Sequence, residues 1–174
     1  MYQNLIFESD MSSLRTRSAL SYFGSDGLVA RELAALLNDC SHVTIPFVGG
    51  ASIIPHLQAR AIVANDLHDL AINFYRVMSG TRRQDLIDRC QATLSHPAEL
   101  RDAITDSKSD DELRRAWAFW ALCWICRKGK GGTKKQGGLP SVRRTANGGT
   151  NASRIRTAAD DLDEWARQFE RCEC

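Results

Sequence analysis

VTIPFVGGASIIPHLQARAIVANDLHDLAINFYRVM, residues 43–78, reads as strand, glycine turn, helix, strand, acid, helix. Residues 43–47 are apolar and suit a buried parallel strand, and Gly49-Gly50 supply a turn whose backbone can take positive φ or approach a ligand closely. Residues 51–57 then form a short helix in which Pro55 is tolerated because it falls near the first turn. A second apolar run, residues 61–64, stops abruptly at Asn65-Asp66. In a doubly wound sheet, ligands sit outside the carboxyl ends of the strands, and an acid about 20 residues beyond the glycine turn is placed to accept hydrogen bonds from a ribose. Gly50 to Asp66 is close to that spacing. The predicted fold class is therefore α/β.

That logic suits a nucleoside-bearing cofactor without saying which. The dinucleotide fingerprint G-x-G-x-x-G is absent, so a pyrophosphate at the helix start has little support. Three pieces of sequence narrow the choice: Tyr22-Phe23-Gly24-Ser25, then Pro46-Phe47-Val48-Gly49-Gly50-Ala51-Ser52, then Asn65-Asp66-Leu67 running into Asn73-Phe74-Tyr75-Arg76. In order and spacing they resemble the cofactor half of the Dam-type adenine-specific DNA methyltransferases. Weaker similarity continues through nearly the whole chain. The plain alternative is an α/β unit whose glycines only make a turn and whose Asp66 only caps a helix. The ordering of the three pieces argues against it.

The resemblance implies a Rossmann-like methyltransferase sheet, S-adenosylmethionine as cofactor, double-stranded DNA as partner, and adenine-specific DNA methylation of the kind found in restriction-modification. It implies that Asp66 holds the ribose, that the backbone from Phe47 through Gly49 and Gly50 holds the methionine part, and that Tyr22 makes an edge contact. The chain departs from the family in three places. Asp26 stands where a Lys is usual, Ile45 stands where an acid usually precedes Pro-Phe, and the Asp-Pro-Pro-Tyr motif that holds the target amine is nowhere in the sequence. The family would place that motif shortly after a segment like 165–174. The expectation is an incomplete sheet with no catalytic residue of its own: the N-terminal part of a truncated or split enzyme, with a C-terminal fragment carrying the motif as a further partner. The competing reading is a non-catalytic nucleic-acid-binding remnant.

Composition sets the outer limits. The 174 residues suffice for one domain with a real core, and 43% hydrophobic with 25% charged is ordinary for a globular chain. No apolar run reaches transmembrane length and the N-terminus lacks a charged-then-apolar signal pattern, so a cytoplasmic protein without a membrane partner is expected. Six scattered cysteines in that compartment read as free thiols. Cys123 and Cys126 with Cys172 and Cys174 offer a four-thiolate zinc set on paper. The first pair lies in AWAFWALCWICRK, residues 116–128, a helical apolar stretch where cysteine acts as a small hydrophobe, so no metal is expected.

Before the first strand, Leu28, Val29, Leu33, Leu36 and Leu37 give an apolar face at helical spacing, ending at Asn38 as a left-handed cap; its role is packing support. After the second, Leu67, Leu70, Ala71, Phe74, Val77 and Met78 recur at helical intervals until Ser79-Gly80, which makes Phe74 and Tyr75 wall and core. Leu86, Ile87, Cys90 and Leu94 suggest another helix, Pro97 opens the next, and Ser109-Asp110-Asp111-Glu112 reads as a capping box before Leu113, Trp117, Trp120 and Trp124. No strand pattern occurs in residues 81–127, so this region reads as a helical insertion between parts of the sheet.

At residue 127 the composition changes. Arg127, Lys128, Lys130, Lys134, Lys135, Arg143, Arg144, Arg154 and Arg156 fall within 30 residues that hold no acid. The other 14 basic residues face 21 acids, leaving the remainder at −7. A near-neutral total thus hides a polarised chain. Basic charge of this density, with seven glycines interspersed, favours a nucleic-acid backbone, and the first seven of these residues are the candidate nucleic-acid contacts. A solvated loop is the bland counterpart. Leu162, Trp165, Ala166 and Phe169 mark a last helix. The expected division is residues 1–80 for the cofactor, 81–156 as a helical and basic DNA-recognition region, and 157–174 as a return helix.

Overall fold

The computed structural model describes residues 14–16, 18–25, 27–126 and 149–174. Three parallel strands, β1 (His42–Ile45), β2 (Ala61–Ala64) and β3 (Cys172–Glu173), form one sheet in the order β1-β2-β3. β1 and β2 pair from His42↔Ala61 to Ile45↔Ala64, and Ile62↔Cys172 and Val63↔Glu173 set the second register. Ile62 and Ala64 face the core while Thr44, Val63 and Glu173 are exposed. The strands therefore alternate rather than being buried on both faces, because among the described residues helices cover one side.

β1 stops at Ile45, two residues short of the predicted strand, since Pro46 has no N–H to continue the ladder and Phe47 swings into solvent. Parallel pairing nonetheless resumes: Asn65 N–H donates to Ile45 O at 2.9 Å and Val48 N–H to Asn65 O at 2.8 Å. The predicted helix over 51–57 shrinks to one 3-10 turn, Ile54–His56, with Pro55 in its first positions.

Helix α1 (Ala30–Ala35) corrects the sequence reading. Its buried residues are Ala30 and Ala34, whereas Leu28, Val29, Leu33 and Leu36 are exposed. Two alanines one turn apart present a flat face that seats on the Ile54–His56 turn, and bulkier leucines are left outside. Asn38 is not a left-handed cap: the helix ends at Leu36 in right-handed conformation, and among described non-glycine residues only Ala51 has positive φ.

The remaining helices are α2 (Asp69–Ser79), α3 (Arg83–Gln91), α4 (Pro97–Asp106), α5 (Glu112–Ile125), α6 (Asn151–Asp160) and α7 (Leu162–Phe169). α2 ends at Gly80 and α4 opens on Pro97, with His96 Nδ1 accepting the Ala98 N–H. Leu67 and Leu94, counted above among apolar faces, are exposed. The cap of α5 is Asp111 rather than Ser109, because Asp111 Oδ1 accepts the Leu113 N–H at 2.8 Å while Ser109 Oγ accepts the Asp111 N–H. α5 is the hub: α2, α3, α4 and α6 all pack on it, and its Trp117, Phe119 and Trp120 are fully buried. α7 sits beneath α2, where Phe169 meets Tyr75 at 4.9 Å and stacks on Trp165. No helix among the described residues is long and apolar enough to cross a membrane.

Candidate functional site

The carboxyl ends of β1 and β2 open into two loops, residues 46–51 and 65–68, joined by the Val48–Asn65 backbone bond and by the Asp66 carboxylate. Asp66 Oδ2 accepts the Gly49 N–H at 2.9 Å and Asp66 Oδ1 accepts the His68 N–H at 3.0 Å. One side chain thus ties the glycine turn to the start of α2. The turn itself is closed by Ala51 N–H donating to Val48 O at 2.8 Å, with Gly49 at φ +49° and Ala51 at φ +61°. Left-handed backbone suits glycine and costs a β-carbon residue such as Ala51, so the turn is strained at one position.

The Gly49 peptide is held from its other side as well. Tyr75 Oη donates to Gly49 O at 2.5 Å from the buried face of α2. Complete burial pushes the Tyr75 phenol well above its ordinary range, which keeps it a proton donor. Tyr22 lies against Gly49, 3.6 Å from where a β-carbon would stand, and meets the rings of His68 and Phe119 edge-on at 6.4 and 6.3 Å. Burial first, and the Asp66 charge second, raise the Tyr22 phenol too. Gly50 is buried, and its carbonyl accepts the Ala19 N–H at 3.1 Å.

Of the residues singled out from sequence, Tyr22, Gly49, Gly50 and Asp66 come together here. Phe47 stands at the rim with its side chain 73% exposed, in company with exposed Leu67 at the end of β2. Three residues that sequence reasoning left in the core or unmentioned belong to the same assembly: Tyr75, His68 and Phe119. Helical spacing marks Tyr75 as an inward residue of α2, but His68 precedes the helix with extended backbone, and no spacing in the chain points to it. Ile45 is half-buried at the end of β1, and Asp26 lies outside the described residues. Outside them too lie Arg127, Lys128, Lys130, Lys134, Lys135, Arg143 and Arg144; Arg154 and Arg156 are exposed on α6.

A separate cavity of about 410 Å³ lies among Leu14, Thr16, Leu28, Arg31, His56 and Trp165. Glu32 and Ser52 line it as well, and it shares no lining residue with the Asp66 turn. All six cysteines are free, burial raising the Cys123, Cys126, Cys172 and Cys174 thiols, and no group of three or more metal-ligating side chains occurs among the described residues.

A comparison with curated proteins gave no match. A sequence model described as D12 class N6 adenine-specific DNA methyltransferase matches residues 22–171, a span running from the aromatic residue against Gly49 to the residue before β3.

Proposed function

Because the chain belongs to the D12 class of N6 adenine-specific DNA methyltransferases, we propose that its strand-end turn holds S-adenosylmethionine for methyl transfer to the exocyclic amine of adenine in DNA. The observation that carries this reading is the Asp66 carboxylate, which sits at the carboxyl end of the central strand and fixes both loops there. Each of its oxygens accepts one N–H and retains a lone pair, so a ribose hydroxyl can be added without displacing either bond. Exposed Phe47 and Leu67 supply apolar surface at the same end, and a few polar groups set in an apolar rim suit a nucleoside. When bound, the cofactor supplies a methyl group on a sulfonium.

On this reading the three described strands are the first part of a Rossmann-like sheet, Asp66 orients the ribose, the Gly49 and Gly50 backbone lies along the methionine part, and Tyr22 covers the turn. The target base leaves the stack to reach the methyl group, and its amine needs a polarising acceptor. The Asp-Pro-Pro-Tyr motif expected to supply that acceptor is not in the sequence. The chain's own residues therefore serve the cofactor side, with the motif furnished by another segment or chain, and the basic residues of 127–144 contact DNA phosphates. The missing motif favours a second reading, a non-catalytic nucleic-acid-binding remnant, which would bind DNA but no cofactor.

Calorimetric titration with S-adenosylmethionine tests the first reading. Asp66→Ala is expected to weaken binding by roughly 1–3 kcal/mol, about 5- to 150-fold, with folding checked by circular dichroism because Asp66 also holds Gly49 and His68. Wild type that binds nothing, or a folded variant that binds as well as wild type, overturns it.

A further inference from the structure

His68 occupies the N-cap of α2 with extended backbone, a position where Ser, Thr, Asp or Asn normally satisfies a helix N–H, yet its side chain caps nothing. The ring turns instead onto α5, stacking on Phe119 at 5.0 Å with 26° between planes, while Tyr22 closes over it edge-on at 6.4 Å. Its Nδ1 is buried and has no hydrogen-bond partner among the described residues. A buried polar nitrogen left unpaired is costly, and such groups are ordinarily explained by a function or by a bound molecule. Its backbone is no less committed, since its own N–H is held by the carboxylate assigned above to the ribose.

We propose that His68 is a contact to the nucleoside half of the ligand, its Nδ1 accepting a hydrogen bond from a hydroxyl or amine of a bound adenosine group. Tyr22 is the movable cover. Its ring meets the imidazole edge-on, and turning a side chain is a common adjustment on binding. The His68 backbone N–H already donates to the Asp66 carboxylate, so the imidazole stands on a residue which that acceptor itself contacts. The two residues then read the ligand together, Asp66 with a carboxylate oxygen and His68 with a ring nitrogen from an aromatic wall. The arrangement sacrifices a helix cap to gain a ligand contact. This inference rests on the cofactor reading above.

His68→Phe separates the contact from the packing, because it keeps a ring on Phe119 and removes the acceptor. Titrations with S-adenosylhomocysteine and with adenosine are expected to show about tenfold weaker binding of both, with no loss of melting temperature. Independently, ¹⁵N spectra of the wild-type imidazole are expected to show the Nδ1 resonance of His68 move as adenosine is added. Unchanged affinity for both ligands overturns the proposal and leaves a buried water as the partner. Weakening with S-adenosylhomocysteine alone overturns the assignment to the nucleoside half. Should the variant not fold, an Nδ1 resonance that stays put at saturating adenosine overturns it as well. Wild type that binds neither ligand defeats the cofactor reading itself, and this contact with it.

Discussion

Gly49 and Gly50 are adjacent but are glycines for different reasons. Gly49 has left-handed backbone at φ +49°, with ordinary contact distance to Tyr22. Gly50 has no such φ; a β-carbon there would stand 3.1 Å from Ser18 Cβ and Ser25 Oγ and 3.2 Å from Leu20 O. It is small because residues 18–25 cross directly over it, bringing Tyr22 to the turn. Ser25 and Ser52 share a 2.6 Å hydrogen bond across the same contact, so the crossing has little room to give. Gly50→Ala is expected to destabilise by about 1–3 kcal/mol, the usual cost of overpacking. Urea unfolding should show a lower midpoint at unchanged slope; a midpoint equal to wild type would mean that residues 18–25 do not pack on the turn.

At the scale of elements, α5 shows how two similar side chains acquire different worth. Trp117 and Trp120 are both fully buried. Trp117 Nε1 donates to Thr93 Oγ1 at 2.8 Å and Arg89 lies 4.0 Å over its ring, whereas Trp120 Nε1 is buried without a partner among the described residues. Replacing either by Phe leaves a void, but only Trp117→Phe also breaks a buried hydrogen bond, costing about 1 kcal/mol more, while the Thr93 hydroxyl keeps its bond to Arg89 O. Chemical denaturation of the two variants should rank Trp117→Phe as the less stable, and the reverse order would show that the Thr93 bond contributes nothing. The tryptophan stripe was legible because every third or fourth residue of α5 is large and apolar. The leucine stripe before β1 was equally periodic and misleading, since hydrophobic spacing cannot say whether a neighbour exists to cover it.

Across the whole molecule, side chains distant in sequence hold the described segments together. Asp161, 3% exposed at the α6–α7 junction, accepts the N–H groups of Arg15 and Thr16 at 3.1 and 2.7 Å and the Arg15 guanidinium at 3.0 Å. Arg171, before β3, donates to the carbonyls of Leu57 and Ile54, each at 2.8 Å. Both bind backbone groups through a charged side chain, contacts stronger than neutral ones; Asp161 adds an ion pair with Arg15, while Arg171 shows none among the described residues. The charge polarity of the chain bears on the same scale. Each phosphate contact adds a slope of roughly −0.9 to log affinity against log salt on duplex DNA. Arg143→Ala with Arg144→Ala is expected to weaken binding to all duplexes alike and to flatten that slope by about two units. Fluorescence anisotropy across a salt series checks this, and wild type with no salt-dependent binding ends the phosphate-contact reading.

What the sequence by itself determined is what short-range chemistry controls. The β2 run, the Asn65-Asp66 stop, the Gly80 end of α2 and the Pro97 start of α4 each follow from local backbone preference or a two-residue alternation, and the ordered motifs carried the family. What only the tertiary structure decided depends on which surfaces meet. Asp66 accepts from Gly49 because parallel pairing of β1 with β2 brings two loops side by side. Tyr75, read from its spacing as core, reaches back to Gly49 O because α2 lies beneath the turn. Gly50 is crowded by residues 18–25 and the α1 leucines are uncovered, and neither fact has a signature in the chain. Periodicity reports which face of an element is apolar; only the assembled fold supplies the partner that makes that face, or that carboxylate, matter.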